Sequence, residues 1–149
     1  IIMFLVAASL VSAWLITVAN IPDQIVALAQ PFIEHKTLLM LVLMAVVVLV
    51  GTALDFTPTI LILTPVLMPI IKQAGIDPIY FGVLFIINNA IGMVTPPVGT
   101  VLNVVAGVAR IRMDDAIRGV MPFMLAQLVV LLLLILFPAL VLVPATWFR

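Results

Sequence analysis

Two short polar segments, at 51–58 and 92–99, interrupt long apolar runs and contain the residues best suited to bind an ion. Asp55 is a carboxylate between two apolar runs, and an ionisable group at membrane depth predicts a functional role. It would either coordinate a cation or cap the N–H groups of the surrounding turn. The hydroxyl oxygens of Thr52 and Thr95 suit a hard cation such as Na⁺, although capping explains these two residues equally well.

Polar residues near the same segments predict contacts with a substrate. Asn88 and Asn89 lie inside an apolar run, and we expect one to line a cavity and the other to hydrogen-bond a neighbouring helix. Thr57-Pro58 resembles a helix N-cap followed by proline at the first helical position, and Thr95-Pro96 repeats this pairing. Two helices would then direct their positive N-terminal ends at the polar segments, where anionic substrate groups bind in transporters.

The composition places these segments in a membrane protein. Of the 149 residues, 66% are hydrophobic and 8% are charged, and the formal net charge is +0. A soluble domain is about a quarter charged, so this chain has too few charged groups to cover a surface that faces water. The scattered charges also form no basic surface for phosphates. The composition therefore excludes a soluble enzyme, a nucleic-acid-binding protein and a disordered linker.

The reactive residue types are scarce. Cysteine is absent from the sequence and His35 is its single histidine, so disulfides, thiol catalysis and a histidine-based metal site are excluded. An intramembrane enzyme needs a nucleophile with a base or a paired acid, which this sequence does not supply, and we predict no enzymatic activity. The chain begins at Ile1 within an apolar run and shows no signal-peptide pattern, so we expect a piece of a longer protein.

Charges and prolines divide the apolar runs into helices. The run 1–19 would span roughly 28 Å as a helix, close to the hydrocarbon thickness, and 23–36 predicts an amphipathic helix along the interface. The runs 38–50 and 59–71 would each span only about 20 Å. With a tip at 51–58 they predict a re-entrant hairpin, and the alternative is one kinked helix of roughly 50 Å.

The remaining sequence predicts a broken helix and a final crossing. Consecutive prolines at Pro96-Pro97 remove two backbone donors, so 78–91 and 100–109 should be two half-helices. Arginines between 110 and 118 predict a cytoplasmic loop. An arm helix should follow, and then a crossing at 119–143 with Trp147 and Arg149 at the interface.

We therefore expect an all-α membrane protein with three regions. Residues 1–36 would form a transmembrane helix and an interfacial arm, 37–110 the re-entrant hairpin and the broken helix, and 111–149 the second arm and the final helix. Irregular backbone within hydrocarbon costs several kcal/mol for each unpaired group, so two breaks predict a site of ion-coupled transport. An ion channel with a re-entrant pore loop is the alternative, but it leaves the second break unexplained.

Four motifs in this order carry a family resemblance. They are GTALDFTP at 51–58, ILTPVLMP at 62–69, GIDP at 75–78 and NAIGMVTPPVG at 89–99. Together they resemble the C-terminal region of the large membrane subunit of tripartite ATP-independent periplasmic (TRAP) transporters, and the resemblance covers nearly the whole chain.

The resemblance implies more than the spacing does. Such subunits are multi-pass proteins of the bacterial inner membrane that import organic acids, such as C4-dicarboxylates or sialic acid, with Na⁺ as the coupling ion. They work by an elevator movement, with a periplasmic substrate-binding protein and a small membrane subunit that is separate or fused. Their fold has two inverted repeats, of which 37–110 would be the second, so the N-terminal repeat would come from outside this chain. By position, the resemblance assigns these residues to Na⁺ binding: Gly51, Thr52, Asp55, Gly92, Thr95, Pro96 and Gly99.

Overall fold

A computed structural model describes residues 2–96 and 99–147, and within them every regular element is an α-helix. This architecture, with several long apolar helices, confirms the predicted all-α membrane fold. Pro97, Val98 and Arg149, which belong to predicted features, lie outside the described residues. The helices are α1 (Ile2–Val18), α2 (Ile21–Ile33), α3 (Lys36–Ala53), α4 (Phe56–Gln73), α5 (Pro78–Val94), α6 (Thr100–Ala109), α7 (Met113–Leu136) and α8 (Ala139–Thr146).

The first two helices meet at a sharp bend. Val6–Val18 and Ile21–Ala27 are inclined by 60°, and Asn20 between them adopts the left-handed conformation with φ 53°. Asparagine tolerates this conformation better than most residues, so it can end α1 and redirect the chain. The predicted arm at 23–36 is therefore a separate helix, and both α1 and α2 pack against α4.

The hairpin α3–α4 has longer arms than the sequence predicts. Each helix contains 18 residues, or about 27 Å, and each is long and apolar enough to cross a membrane. The half-length expectation for 38–50 and 59–71 was wrong, because the helices continue through the polar residues beside the tip. The tip itself is only Leu54 and Asp55. At the open end, Lys36 Nζ donates a hydrogen bond to the Gly75 carbonyl oxygen at 3.2 Å.

The predicted break between α5 and α6 is confirmed. Helix α5 ends at Val94 and α6 begins at Thr100, so the helix continues three residues beyond the predicted end at Ile91. The prolines at 96 and 97 have no N–H, and they deprive the carbonyls of Gly92 and Met93 of their helical donors. The Thr95 N–H instead bonds the Gly92 carbonyl oxygen at 3.1 Å and closes the last turn.

The last third of the chain forms one long helix and one short helix. Helix α7 has 24 residues and includes both the segment expected to form an arm and most of the expected crossing at 119–143. The helix ends at Phe137–Pro138, and α8 then packs against α5. Pro138 removes the N–H that would bond the Leu134 carbonyl oxygen, and the Tyr80 hydroxyl donates to that oxygen instead, at 2.9 Å.

The main core lies where α3, α4, α5 and α7 meet. Leu39, Val47, Ile70 and Leu84 are almost completely buried there. Helix α5 contacts α3 along its length, with α7 on another side, and α4 is packed between α5 and the pair α1–α2. This arrangement brings the tip of the hairpin beside the break of α5–α6, which places the two polar segments together.

Candidate functional site

The hairpin tip and the resumed half-helix are joined by a side-chain hydrogen bond. Thr100 Oγ1 donates to Asp55 Oδ1 at 3.4 Å. Asp55 is exposed and Thr100, the first residue of α6, is partly buried. The two polar segments predicted from the sequence therefore meet across 45 residues of chain.

Two helix N-termini converge on this contact. Asp55 is the N-cap residue of α4 in extended backbone (φ −70°, ψ 164°), and α6 begins at Thr100. The N-terminal end of a helix carries a partial positive charge, so both α4 and α6 favour an anion near the tip. The expected N-cap at Thr57 was wrong, because α4 begins at Phe56. Thr95 is the C-cap of α5, and Gly99 takes the N-cap position of α6.

Helices α3 and α5 cross at two glycines beside the tip. A Cβ on Gly92 would lie 2.9 Å from the Gly51 carbonyl carbon, and a Cβ on Gly51 would lie 2.8 Å from Asn89 Oδ1. Real Cβ atoms do not approach backbone atoms so closely, so the crossing requires glycine at 92, whereas a side chain at 51 would first displace the Asn89 amide. Asn89 Nδ2 also donates to the Phe56 carbonyl oxygen at 3.4 Å, which links α5 to the start of α4.

Two side-chain amide oxygens of α5 are buried near the glycine crossing without hydrogen-bond partners. The side chains of Asn88 and Asn89 have 0% exposure, and their Oδ1 atoms have no partner in the structure. An unpaired buried acceptor costs about 1–3 kcal/mol unless a ligand or a water molecule satisfies it. Asn89 lies at the glycine crossing, whereas Asn88 donates to the Met44 carbonyl oxygen on α3 at 2.6 Å.

The break brings backbone carbonyl oxygens together around Gly99. A Cβ on Gly99 would lie 3.0 Å from the Met93 oxygen and 3.1 Å from the Thr95 oxygen. Both carbonyls therefore face the α-carbon of a buried glycine, and the Thr95 oxygen also accepts the Gly99 N–H at 3.1 Å. Pro96, which directly follows Thr95, is partly buried. Unwound carbonyls of this kind are suitable ligands for a hard monovalent cation.

Some predicted residues have local roles in the structure. Thr52 Oγ1 donates to Leu49 O at 2.8 Å within its own helix, and Thr95 Oγ1 donates to Ile91 O at 2.7 Å. Thr57 is exposed at the second position of α4. The structure therefore brings together Gly51, Asp55, Asn89, Gly92 and the start of α6, and it directs the hydroxyls of Thr52 and Thr95 to helix carbonyls.

Three residues were missed by the sequence reasoning. Thr100 follows Gly99 at the predicted restart of the helix, and this position could have identified it. Thr59 has 0% exposure and donates to the Asp55 carbonyl oxygen at 2.8 Å, which fixes the tip. Met124 of α7 places its sulfur 3.6 Å from Thr95 Oγ1. The contact of Met124 has no local sequence signal, whereas the contact of Thr59 follows the common helical pattern of a threonine bonding the carbonyl four residues before it.

An open cavity of about 480 Å³ lies beside Asp55 and Thr100. Its other walls are apolar and come from Met93 and from the valines of α6 at 101, 104 and 105. In the described stretches of the chain, no three His, Cys, Asp or Glu side chains form a cluster that could hold a metal ion. The oxygens near the cavity are a carboxylate, a hydroxyl and backbone carbonyls, which favours an alkali cation over a transition metal.

Comparison with known proteins identifies the family. The family model described as "Tripartite ATP-independent periplasmic transporter, DctM component" matches residues 1–140. The chain belongs to the DctM family. It is thus a membrane segment of a TRAP transporter large subunit, as its motifs predicted.

The relatives of this DctM chain are large permease proteins. The chain is 52% identical over 147 residues to the 2,3-diketo-L-gulonate TRAP transporter large permease protein YiaN of Escherichia coli, covering 99% of the chain and 35% of that protein. It is 50% identical over 149 residues to a related TRAP large permease of Haemophilus influenzae, covering 100% and 35%. It is 32% identical over 146 residues to the C4-dicarboxylate TRAP transporter large permease protein DctM of Pseudomonas aeruginosa, covering 98% and 34%. The chain therefore spans about a third of the length of these relatives.

Proposed function

We propose that this chain forms half of the ion and substrate site in a large membrane subunit that imports organic acids with Na⁺. The contact between Asp55 and Thr100 is the observation that carries the proposal, because it joins the hairpin tip to the broken helix. A carboxylate, the backbone carbonyls of the break and two helix N-termini then lie within one small region. These groups suit a cation and an anion that bind side by side.

The cation site would use oxygen ligands near the break. The Met93 and Thr95 carbonyls face Gly99, and Asp55 supplies a negative charge at the tip. Asn89 Oδ1 is a further buried acceptor beside the glycine crossing. We propose Na⁺ as the coupling ion because these ligands are hard and carry little total charge.

The substrate would bind as a carboxylate at the N-termini of α4 and α6. The names of two relatives specify 2,3-diketo-L-gulonate and C4-dicarboxylate, which are organic acids. The charge of Asp55 would repel such an acid until a cation neutralises it. Na⁺ would therefore have to bind before the acid, because it removes this repulsion.

The complete site would need the rest of the subunit. The curated relatives are about three times as long as this chain, and the remainder would supply the other inverted repeat. We propose an elevator movement of the hairpin and broken helix in the bacterial inner membrane. A small membrane subunit and a periplasmic substrate-binding protein would complete the transporter, as membership of the TRAP family implies.

Uptake by the complete transporter tests this proposal. Proteoliposomes that contain the full large subunit and its small subunit would receive the binding protein and a panel of labelled organic acids. We expect uptake of an acid only with an inward Na⁺ gradient and with the binding protein present. Equal uptake with K⁺ in place of Na⁺ would contradict the proposal, and single-channel currents would favour the pore-loop alternative.

A further inference from the structure

A second cavity lies at the open end of the hairpin, far along the helices from the tip. Its volume is about 200 Å³, and it forms where three helix ends meet: the start of α3, the loop between α4 and α5, and the break between α7 and α8. We call it the interface cavity. The residues that matter for its chemistry are Lys36, Met40, Asp77, Tyr80, Ile135 and Leu142.

The interior of the interface cavity is apolar. Met40 and Ile135 are 2% and 3% exposed, and Leu142 on α8 forms another wall. The Tyr80 hydroxyl is already used, because it donates to the Leu134 carbonyl oxygen. The interior therefore suits a hydrocarbon chain better than a polar solute.

The rim of the interface cavity carries one cationic group, Lys36, and one anionic group, Asp77. The exposed Lys36 bonds the Gly75 carbonyl oxygen, which is neutral, so this contact leaves the ammonium charge in place. Asp77 Oδ1 accepts from the backbone N–H groups of Ile79 and Tyr80 and caps α5, and these neutral donors leave the carboxylate charge in place as well. The mouth can therefore hold a phosphate at Lys36 with a cationic headgroup near Asp77. A lysine has three N–H donors, and Lys36 can therefore bind an anionic group at the mouth.

This end of the molecule has the features of a membrane–water boundary. Lys36 begins α3 and Lys72 lies in the last turn of α4, at the ends of two helices long enough to cross a membrane. The short helix α8 begins beside the interface cavity and has no buried side chains. Lysine residues at the ends of apolar helices are typical of the headgroup region.

We propose that the interface cavity binds one membrane phospholipid, with its phosphate at Lys36 and a segment of one acyl chain in the apolar interior. A free phosphate or carboxylate would not use the apolar walls, and a purely apolar ligand would not use Lys36. A phospholipid satisfies both, and it is abundant at this level of the membrane. Bound there, it would connect the start of α3 with the α7–α8 break.

Lipid retention measured by native mass spectrometry tests the headgroup contact. The complete large subunit would be purified in detergent and mixed with phosphatidylglycerol, phosphatidylethanolamine or diacylglycerol. Lys36→Gln should lower phospholipid retention about fivefold, since a lysine near an anionic headgroup contributes about 1 kcal/mol. Lys72→Gln is the matched control, because Lys72 is exposed at the same end and does not line the cavity. Equal losses in the two variants, or equal retention of diacylglycerol, would overturn the proposal.

A second pair of variants tests the acyl-chain contact. Leu142→Trp should fill the cavity and reduce retention of both phospholipids, whereas Val143→Trp on the exposed side of α8 should not. Soluble glycerol 3-phosphate should fail to displace the lipid. Unchanged retention in Leu142→Trp, or displacement by glycerol 3-phosphate at the same concentration as by lipid, would contradict a lipid in the cavity. These measurements do not depend on transport, so they succeed or fail independently of the proposed function.

Discussion

The backbones of Gly51 and Gly92 are in contact. A Cβ on Gly92 would lie 3.1 Å from the Gly51 α-carbon and 3.1 Å from its carbonyl oxygen. The Gly51 backbone therefore leaves no space for a side chain at 92, and small residues at crossings are a known feature of membrane helix packing. This crossing holds the end of α3 against α5 just before the break.

Gly92→Ala should separate the two helices at the crossing. The added methyl group has no space, and we expect overpacking to cost about 1–3 kcal/mol and to abolish most uptake. Thermal unfolding in detergent and uptake in proteoliposomes would measure the two effects. Gly82→Ala is the control, because a Cβ there meets nothing within 4 Å and alanine favours the helix. Equal behaviour of the two variants would contradict a role for the crossing.

Asp55→Asn should weaken cation binding without unfolding the tip. Asparagine keeps the oxygen that accepts from Thr100 but loses the negative charge. We expect the Na⁺ concentration for half-maximal uptake to rise about tenfold, equivalent to about 1.4 kcal/mol. Asp23→Asn in the first turn of α2 is a matched control at an exposed position. If Asp55→Asn leaves the Na⁺ dependence unchanged, Asp55 has only a structural role at the tip.

The two neighbouring asparagines should respond differently to the same change. Asn89 contacts the tip through the Phe56 carbonyl, whereas Asn88 bonds Met44 on α3. We expect Asn89→Leu to reduce the apparent Na⁺ affinity and Asn88→Leu to change stability by about 1 kcal/mol with little effect on that affinity. Na⁺-dependent uptake and thermal unfolding of both variants would show the difference. If Asn88→Leu lowers the apparent Na⁺ affinity and Asn89→Leu does not, the Na⁺ site lies on the side of α5 that faces Met44.

Tyr80→Phe should destabilise the α7–α8 break. The Leu134 carbonyl oxygen would lose its donor, because residue 138 is a proline, and we expect a cost of about 1–2 kcal/mol. Pro138→Ala restores an N–H at that position, so Tyr80→Phe should cost less in the Pro138→Ala background. A double-mutant cycle on thermal unfolding measures this coupling. Additive effects would show that the hydroxyl does not replace the missing helical donor.

The sequence predicted the breaks better than the lengths of the helices. Prolines at 96 and 97 remove helical donors whatever surrounds them, so the end of α5 could be anticipated within three residues. The arms of the hairpin were predicted too short because apolarity ends near Gly51 and Thr59. The backbone hydrogen bond from the Leu54 N–H to the Val50 carbonyl oxygen, at 2.9 Å, continues the helix beyond that point. Helix α4 also begins before Pro58, because the first turn of a helix needs no donor there.

The contacts that build the site could not be predicted from the sequence. Asp55 and Thr100 are 45 residues apart, and Asn89 and Phe56 are 33 residues apart. Hydropathy and capping patterns report on neighbours within a few residues, whereas these pairs depend on how α3 and α4 pack against α5. The sequence singles out Asp55 and Asn89 as polar residues in apolar surroundings, but their partners become visible only in the folded chain.

The turn between α3 and α4 has no spare length. Only Leu54 and Asp55 connect two helices of 18 residues each. The Thr59 hydroxyl donates a hydrogen bond to the carbonyl oxygen of Asp55. Such a short connection keeps the end of α3 beside the start of α4, so any displacement of the tip would have to move both helices together. We therefore expect the tip to keep its shape in any movement that the two helices make.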